Sequence, residues 1–406
     1  MKTSKDSLVT KLAFLSVSFM LTSAYAVQGA LPQLKAALHV TQTQAEYLAT
    51  MPAFAVMIFV VLSPLLQASL KISDKQMIMA GVTLVGVMGV VPFFNIQNYW
   101  VILASRLLLG AGFGLYNSQA IALISVWYQE PTRAQMLGWR AAAEQIGQAF
   151  TLFVAGILLT VSGWHASFLV YLLAFVALGF FAWRVPEDQV GAADPTQPTS
   201  HAAAGQPSQI SPMVALLVAF AFFLVVDYVG MENRFASLAV VLNGAQYTGA
   251  ANFLSLMLIG ATLGGLCYGS LQKWLGFGTV YLGLLVMALA NFLFYWGQAN
   301  FGLLVAGLLL IGFPLQLVSP LIFNLLPNLA PQHQQPLVTS LVLIGFNFGA
   351  FFSPSLAAAL NDLLGQPMSG PGLAAPFWVY GLSLLMIAAG IWVARWSQSR
   401  NVVENH

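Results

Sequence analysis

Residues 98–127, NYWVILASRLLLGAGFGLYNSQAIALISVW, run for thirty positions with a single charge, Arg106. About 20 apolar residues suffice for a helix to cross a bilayer, so this stretch reads as a transmembrane span with an arginine embedded in it. The rest of the chain repeats the pattern: no charge lies between Lys11 and Lys35, between Glu46 and Lys71, or between Lys273 and Asp362. Over its 406 residues the chain is 59% hydrophobic and 6% charged, against roughly a quarter charged in a soluble domain. It cannot coat a globule with polar side chains. Backbone amides in hydrocarbon must be satisfied within a helix or a closed barrel. Barrel strands alternate polar and apolar residues, and no stretch here does, which leaves an all-α membrane protein embedded in a lipid bilayer.

Apolar runs fall near 10–31, 46–69, 76–95, 98–127, 135–161 and 165–184, then near 212–240, 247–270, 277–296, 301–326, 336–360 and 374–396. These are 12 transmembrane helices in two six-helix halves, 1–185 and 212–398. The linker between them, 186–211, is rich in Ala, Pro, Gln, Ser and Gly and carries Glu187, Asp188 and Asp194; such a composition buries too little apolar surface to fold. Lysines and arginines collect beside spans on the cytoplasmic side. With the N-terminus inside, Lys2, Lys5, Lys11, Lys71, Lys75, Arg133, Arg184, Lys273, Arg395 and Arg400 fall there, while the outside keeps Lys35 and Arg234. Both termini are therefore expected in the cytoplasm of a multi-pass cell-membrane protein, with the linker on the same side. The apolar run ending in Ala24-Tyr25-Ala26 also fits a cleavable signal peptide, but it continues to Pro32 and its loss would leave one half a helix short.

An offset of 202 residues superposes landmarks of the two halves: Gly110 on Gly312, Gly147 on Gly349, Lys71 on Lys273, Ser63 on Gly265. A parallel repeat of six spans places a shared cavity between the halves near the midplane. Within the fourth span, Arg106 is followed by Gly110, Gly112 and Gly114. Small residues at such spacing let helices approach closely, and an arginine at membrane depth is kept for function or for a buried partner.

This arrangement resembles the major facilitator superfamily, whose fourth span carries an arginine followed by glycines at this spacing. The resemblance extends over the six plus six spans, the central linker, the Glu130-Pro131-Thr132-Arg133-Ala134 loop and Gly163-Trp164 ahead of the sixth span. Two departures stand out. The family's loop between spans two and three starts with glycine and carries an aspartate four residues later; here those positions are Ser63 and Gln67, with Lys71, Asp74 and Lys75 following. Drug antiporters of the family show a glycine-proline pair in span five, where this chain has Gly147-Gln148-Ala149-Phe150 and then Gly156.

Asp227 lies mid-span in the seventh helix and reads as a proton-coupling or substrate-contacting group, or as a structural acid paired with an arginine; the repeat offset places Tyr25 at the equivalent position. Arg140 and Glu144, four apart in span five, share a helix face and can neutralise each other, either structurally or along the pathway, with Gln148 and Thr151 extending the face. The resemblance implies a gating and proton-coupling role for Arg106. It also directs attention to polar residues of the cavity-lining spans: Tyr25 and Gln28 in the first, Asn117 and Gln119 in the fourth, Gln316 in the tenth and Asn347 in the eleventh. Pro314, Pro320 and Pro354 interrupt helical ladders and supply kinks. Glu232 and Arg234, near the outer end of span seven where solvated charge is ordinary, read as rim or gate residues.

Other classes find no support in the chain. It has no Gly-Lys-Ser or Gly-Lys-Thr phosphate loop, no His-Glu-x-x-His and no nucleophile elbow, so neither ATP hydrolysis nor intramembrane catalysis is expected. Five scattered histidines and the single Cys267, which reads as packing, give no metal-ligand spacing and no cofactor site. A net charge of +2 is too small and dispersed for nucleic acid. The expectation is a monomeric secondary active transporter of a small organic solute, proton-coupled and working by alternating access, with a drug/proton antiporter as the second reading.

Overall fold

The computed structural model describes residues 7–94, 97–129, 131–186, 209–331 and 334–404. Lys2, Lys5, Glu130, His406 and most of the linker, with Glu187, Asp188, Asp194 and His201, lie outside the described residues. Span 1 comes in three pieces: Leu8–Phe19, the 3-10 segment Ser23–Ala30 and Leu31–Leu38. Spans 2 to 5 are Gln42–Leu70, Asp74–Phe94, Tyr99–Trp127 and Thr132–Ser162, and span 6 joins the 3-10 stretch Trp164–Leu172 to Leu173–Arg184. Spans 7 to 11 are Met213–Asn243, Ala250–Leu275, Gly278–Trp296, Phe301–Leu325 and Gln335–Leu363; span 12 starts with the 3-10 turn Gly370–Ala374 and continues as Ala375–Glu404. Among the described residues, 11 helices are long and apolar enough to cross a membrane, and span 1, bent by 47° at its break, makes the twelfth.

Local chemistry sets the ends of these helices. Thr41 accepts from the Gln44 amide at 3.2 Å while the Gln44 side chain accepts from the Thr41 amide at 2.9 Å, a reciprocal cap at the start of span 2. Asn98 caps span 4 by accepting from the amides of Trp100 and Val101, and Asn300, 202 residues on, caps span 10 by accepting from that of Leu303. The break in span 1 frees backbone carbonyls that hydrocarbon cannot satisfy. Arg106 donates to the Ala24 carbonyl and, through Nε at 2.8 Å, to that of Leu48, while the Tyr171 hydroxyl donates to Ser23 O at 2.9 Å.

Each half has its own core. In the first, Phe14, Phe113, Tyr116 and Tyr171 are buried together; in the second, Phe235, Phe294, Met287 and Phe377. Glycines at repeat-related positions admit the same crossings: a methyl on Gly147 would run into the Phe19 carbonyl of span 1, and one on Gly349 into the Phe222 carbonyl of span 7. Gly110 meets Pro52 of span 2 as Gly312 meets Met257 of span 8.

The described ends of the chain, near Leu8 and Glu404, and of the two halves, near Arg184 and Met213, share one face of the bundle, called here the terminal face; the turns at 39–41, 163, 244–249 and 364–369 share the distal face. On the distal side the halves meet along spans 2 and 11 and spans 5 and 8. Tyr47 hydrogen-bonds Ser355, Phe54 packs on Phe351 at 4.8 Å, Thr160 lies 3.2 Å from Thr248, and Gly156 leaves room for Ala251. Toward the terminal face, nothing lies within 4 Å of a Cβ built on Gly138 of span 5 or on Gly265 and Gly269 of span 8.

Candidate functional site

The halves close on one another in layers along span 7. Val225, Tyr228, Val229 and Glu232 follow the 3-4-7 spacing that puts residues on one helix face. That face looks at span 1. The deepest layer is apolar: Ala53, Val229 and Ala350 from three spans, with Tyr25 and Tyr228 against them.

The next layer is polar and wholly buried. Gln28, in the 3-10 segment of span 1, donates Nε2 to Asn233 Oδ1 at 2.9 Å and to Glu232 Oε2 at 3.3 Å. Gln28 Oε1, Glu232 Oε1 and Asn233 Nδ2 are buried without a hydrogen-bond partner. Distal to this, Glu46 of span 2 faces Arg234 of span 7, with Oε1 and Nε 3.4 Å apart and both side chains sealed from solvent. Arg234 also donates to Asn361 Oδ1 at 2.7 Å and to the Leu373 carbonyl at 2.9 Å. Gln42 ties the layer together by donating to Glu46 at 2.9 Å and to Ser237 across the interface at 3.0 Å. A shallow pocket lined by Lys35, His39, Gln42 and Ser237 opens above it on the distal side.

Glu232 and Arg234 are therefore not residues of a solvated rim, which leaves the gate reading of the two. The broken span 1 and the start of span 12 fold over the distal end of span 7 and take both side chains out of water, at 1% and 0% exposure. Position along a helix gives depth; it does not reveal a lid formed by other segments.

The other sequence candidates separate into three groups. Tyr25 and Gln28 stand at the interface. Arg140 pairs with Glu144 at 2.7 Å and donates to Asn117 Oδ1 at 2.5 Å, joining spans 4 and 5 nearer the terminal face, with Gln148 buried one turn on. Gln316 and Asn347, in spans 10 and 11, are partly buried, and Asn347 donates back to Leu343 O at 2.9 Å. Arg106 and Asp227 lie inside their own halves. Arg106 is fully buried and spends its donors on Leu48, Ala24 and the Tyr171 hydroxyl. Asp227 is fully buried and accepts from Asn291 of span 9 at 2.7 Å.

Gln67, where the family's aspartate is expected, donates to Asp74 at 2.5 Å and accepts from Gln119 at 3.3 Å. Gln67 thus links spans 2, 3 and 4 through Asp74 and Gln119. Cys267 is exposed on span 8 and not packed inside; an apolar run is equally compatible with an inward and an outward thiol. Among the described residues no cluster of His, Cys, Asp or Glu could hold a metal.

Comparison with known proteins agrees with this architecture. The chain superposes on a point mutant of the nucleoside transporter NupG with a TM-score of 0.73 at 13% identity, covering 94% of this chain and 99% of that one. It superposes on a peptide transporter POT in complex with sulfate with a TM-score of 0.70 at 13% identity, over 94% of each chain. A bacterial homolog of the human lysosomal transporter Spinster, in an inward-facing and unoccupied conformation, matches with a TM-score of 0.66 at 15% identity, over 95% of this chain and 96% of that one. In sequence, 89 residues are 30% identical to the methylenomycin A resistance protein of Bacillus subtilis (strain 168), a match spanning 22% of this chain and 19% of that relative. The profile of the Major Facilitator Superfamily matches residues 13–281. The chain belongs to the major facilitator superfamily.

Proposed function

We propose that the protein is a secondary active transporter that moves a small organic solute, as a monomer, by rocking its two halves about a site between them, driven by the proton gradient. The observation that carries this reading is the buried layer of Gln28, Glu232 and Asn233. Buried polar atoms are almost always hydrogen-bonded, yet two acceptors and one donor here stay free in the seam between the halves. Groups left unpaired in a seam that must open are groups a solute can pair. Tyr25, Gln28, Glu232 and Asn233 would contact it at the closed end. Asn117, Arg140, Glu144, Gln148, Gln316 and Asn347 would line its way toward the terminal face. The lysine and arginine bias puts that face in the cytoplasm of a cell membrane, which makes this conformation open inward.

The test is transport in proteoliposomes with an imposed pH gradient, screened over sugars, amino acids, nucleosides, organic anions and lipophilic cations. One solute should accumulate with the gradient and lose accumulation in Gln28→Ala and Glu232→Gln. Accumulation unaffected by both substitutions would remove the layer from the site, and accumulation indifferent to pH would remove the proton. The short similarity to a resistance protein favours a second reading, a drug/proton antiporter. Overexpression should then protect cells against at least one toxic compound, and a susceptibility panel showing no protection would reject it.

A further inference from the structure

Asp227 stands off the interface stripe of span 7. Five residues along a helix turn a side chain by roughly 140°, so with Glu232 aimed at span 1, Asp227 aims into the C-terminal half. There Asn291 of span 9 donates Nδ2 to its Oδ2 at 2.7 Å and to the Met287 carbonyl at 2.9 Å. Both side chains are 0% exposed. Three buried polar atoms are left over: Asp227 Oδ1, Asn291 Oδ1 and the hydroxyl of Tyr380, which lies within electrostatic range of Asp227.

No cation among the described residues answers the acid. Span 9 otherwise offers Tyr295, which packs on Trp378 at 5.4 Å. Span 12 offers Tyr380. Span 11 offers Ser353, which donates to Val226 O at 2.8 Å, and Asn361, which binds Arg234. Span 10 contains no titratable residue. Span 8 presents Met257, whose sulfur takes the Tyr228 hydroxyl at 3.4 Å, and on span 7 itself Arg234 is engaged by Glu46. A bare carboxylate so placed is costly to bury. A hard metal ion such as calcium gathers about six or more oxygens, and the three left free here fall short. A proton asks for less: it forms one O–H bond on Asp227, removes the charge, breaks no other bond, and creates a donor among free acceptors.

We propose that Asp227 and Asn291 form a proton-binding site inside the C-terminal half, separate from the solute layer at Gln28, Glu232 and Asn233. Its use in coupling rests on the transport reading above; its existence does not. Binding and release of the proton there would bias the packing of spans 7 and 9 without competition for the solute's own contacts.

Infrared difference spectroscopy of the purified protein in lipid, titrated from acid to alkaline pH, tests this without a known solute. The expected result is a protonated-carboxyl band that is lost on alkalinisation, absent in Asp227→Asn, shifted in Asn291→Ala and retained in Glu232→Gln. A spectrum of Asp227→Asn identical to the parent would overturn the site, as would loss of the band in Glu232→Gln in its place. Loss of the band when sodium chloride replaces choline chloride would overturn the proton in favour of a metal ion. Asp227→Asn keeps the shape of the side chain, and unchanged Gln28–Asn233 proximity by cysteine cross-linking verifies the fold. Transport indifferent to a pH gradient, with the Asp227 band intact, would defeat proton-driven transport while supporting the site.

Discussion

Two arginines carry opposite lessons about charge at membrane depth. Arg106 never meets an acid: its planar fork reaches the Leu48 and Ala24 carbonyls and the Tyr171 hydroxyl at once, and so holds the broken segment of span 1 that presents Gln28. Lysine has a single ammonium on a flexible stem and cannot copy three fixed directions. Arg106→Lys is expected to cost about 2 kcal/mol, since hydrogen bonds to charged groups contribute roughly 1.5–3 kcal/mol, and a thermal unfolding midpoint in detergent unchanged from the parent would refute the clamp. Arg234 does meet an acid, and across the seam. Removing one partner of a buried ion pair leaves a bare charge and costs about 3–5 kcal/mol, whereas removing both is often near neutral. Arg234→Leu should therefore destabilise the protein strongly, and adding Glu46→Leu should restore most of the loss. A double variant as unstable as the single one would show that the pair contributes through other contacts, Asn361 and Leu373 foremost.

At the scale of the helix, the crossing of spans 1 and 5 rests on the missing side chain of Gly147. A leucine there would drive its Cβ into the Phe19 carbonyl, and overpacking of this kind costs about 1–3 kcal/mol. Gly147→Leu is expected to lower the unfolding midpoint, while Gly138→Leu, with nothing within 4 Å and a gain in helix propensity, should not; an equal fall in both would mean that the crossing does not set the cost. The spans themselves were legible because a bilayer imposes a length and a composition that a run such as 98–127 cannot disguise. The break in span 1 was not, since Thr22, Ser23 and Ala24 contain neither proline nor a charge, and the donors that tolerate the break come from Arg106 and Tyr171, more than eighty residues away. The orientation of span 7 was readable in principle: the spacing of Val225, Tyr228, Val229 and Glu232 separates Asp227 from the interface face. An isolated charge such as Asp227 marks depth in the membrane, whereas only that periodicity marks the face.

For the molecule as a whole, the described residues of the two halves meet on the distal side, and the seam combines an apolar plug at Ala53, Val229 and Ala350 with the ion pair above it. None of this is visible in one sequence, because each member of a cross-half pair, such as Gln28 and Asn233, reads alone as an ordinary polar residue in a helix. If rocking about this seam is the transport motion, pinning the distal side must stop it. Thr160 and Thr248 place their hydroxyls 3.2 Å apart across spans 5 and 8, so cysteines at both positions, in a Cys267→Ser background, are poised to form a disulfide. Oxidation should abolish accumulation of whichever solute the proteoliposome screen identifies, and reduction should restore it. In the locked protein a further cysteine at Gly138, in open space near the terminal face, should keep reacting with a membrane-impermeant maleimide from that face alone. Undiminished transport by the cross-linked protein would mean that the solute crosses by a path that never opens this seam.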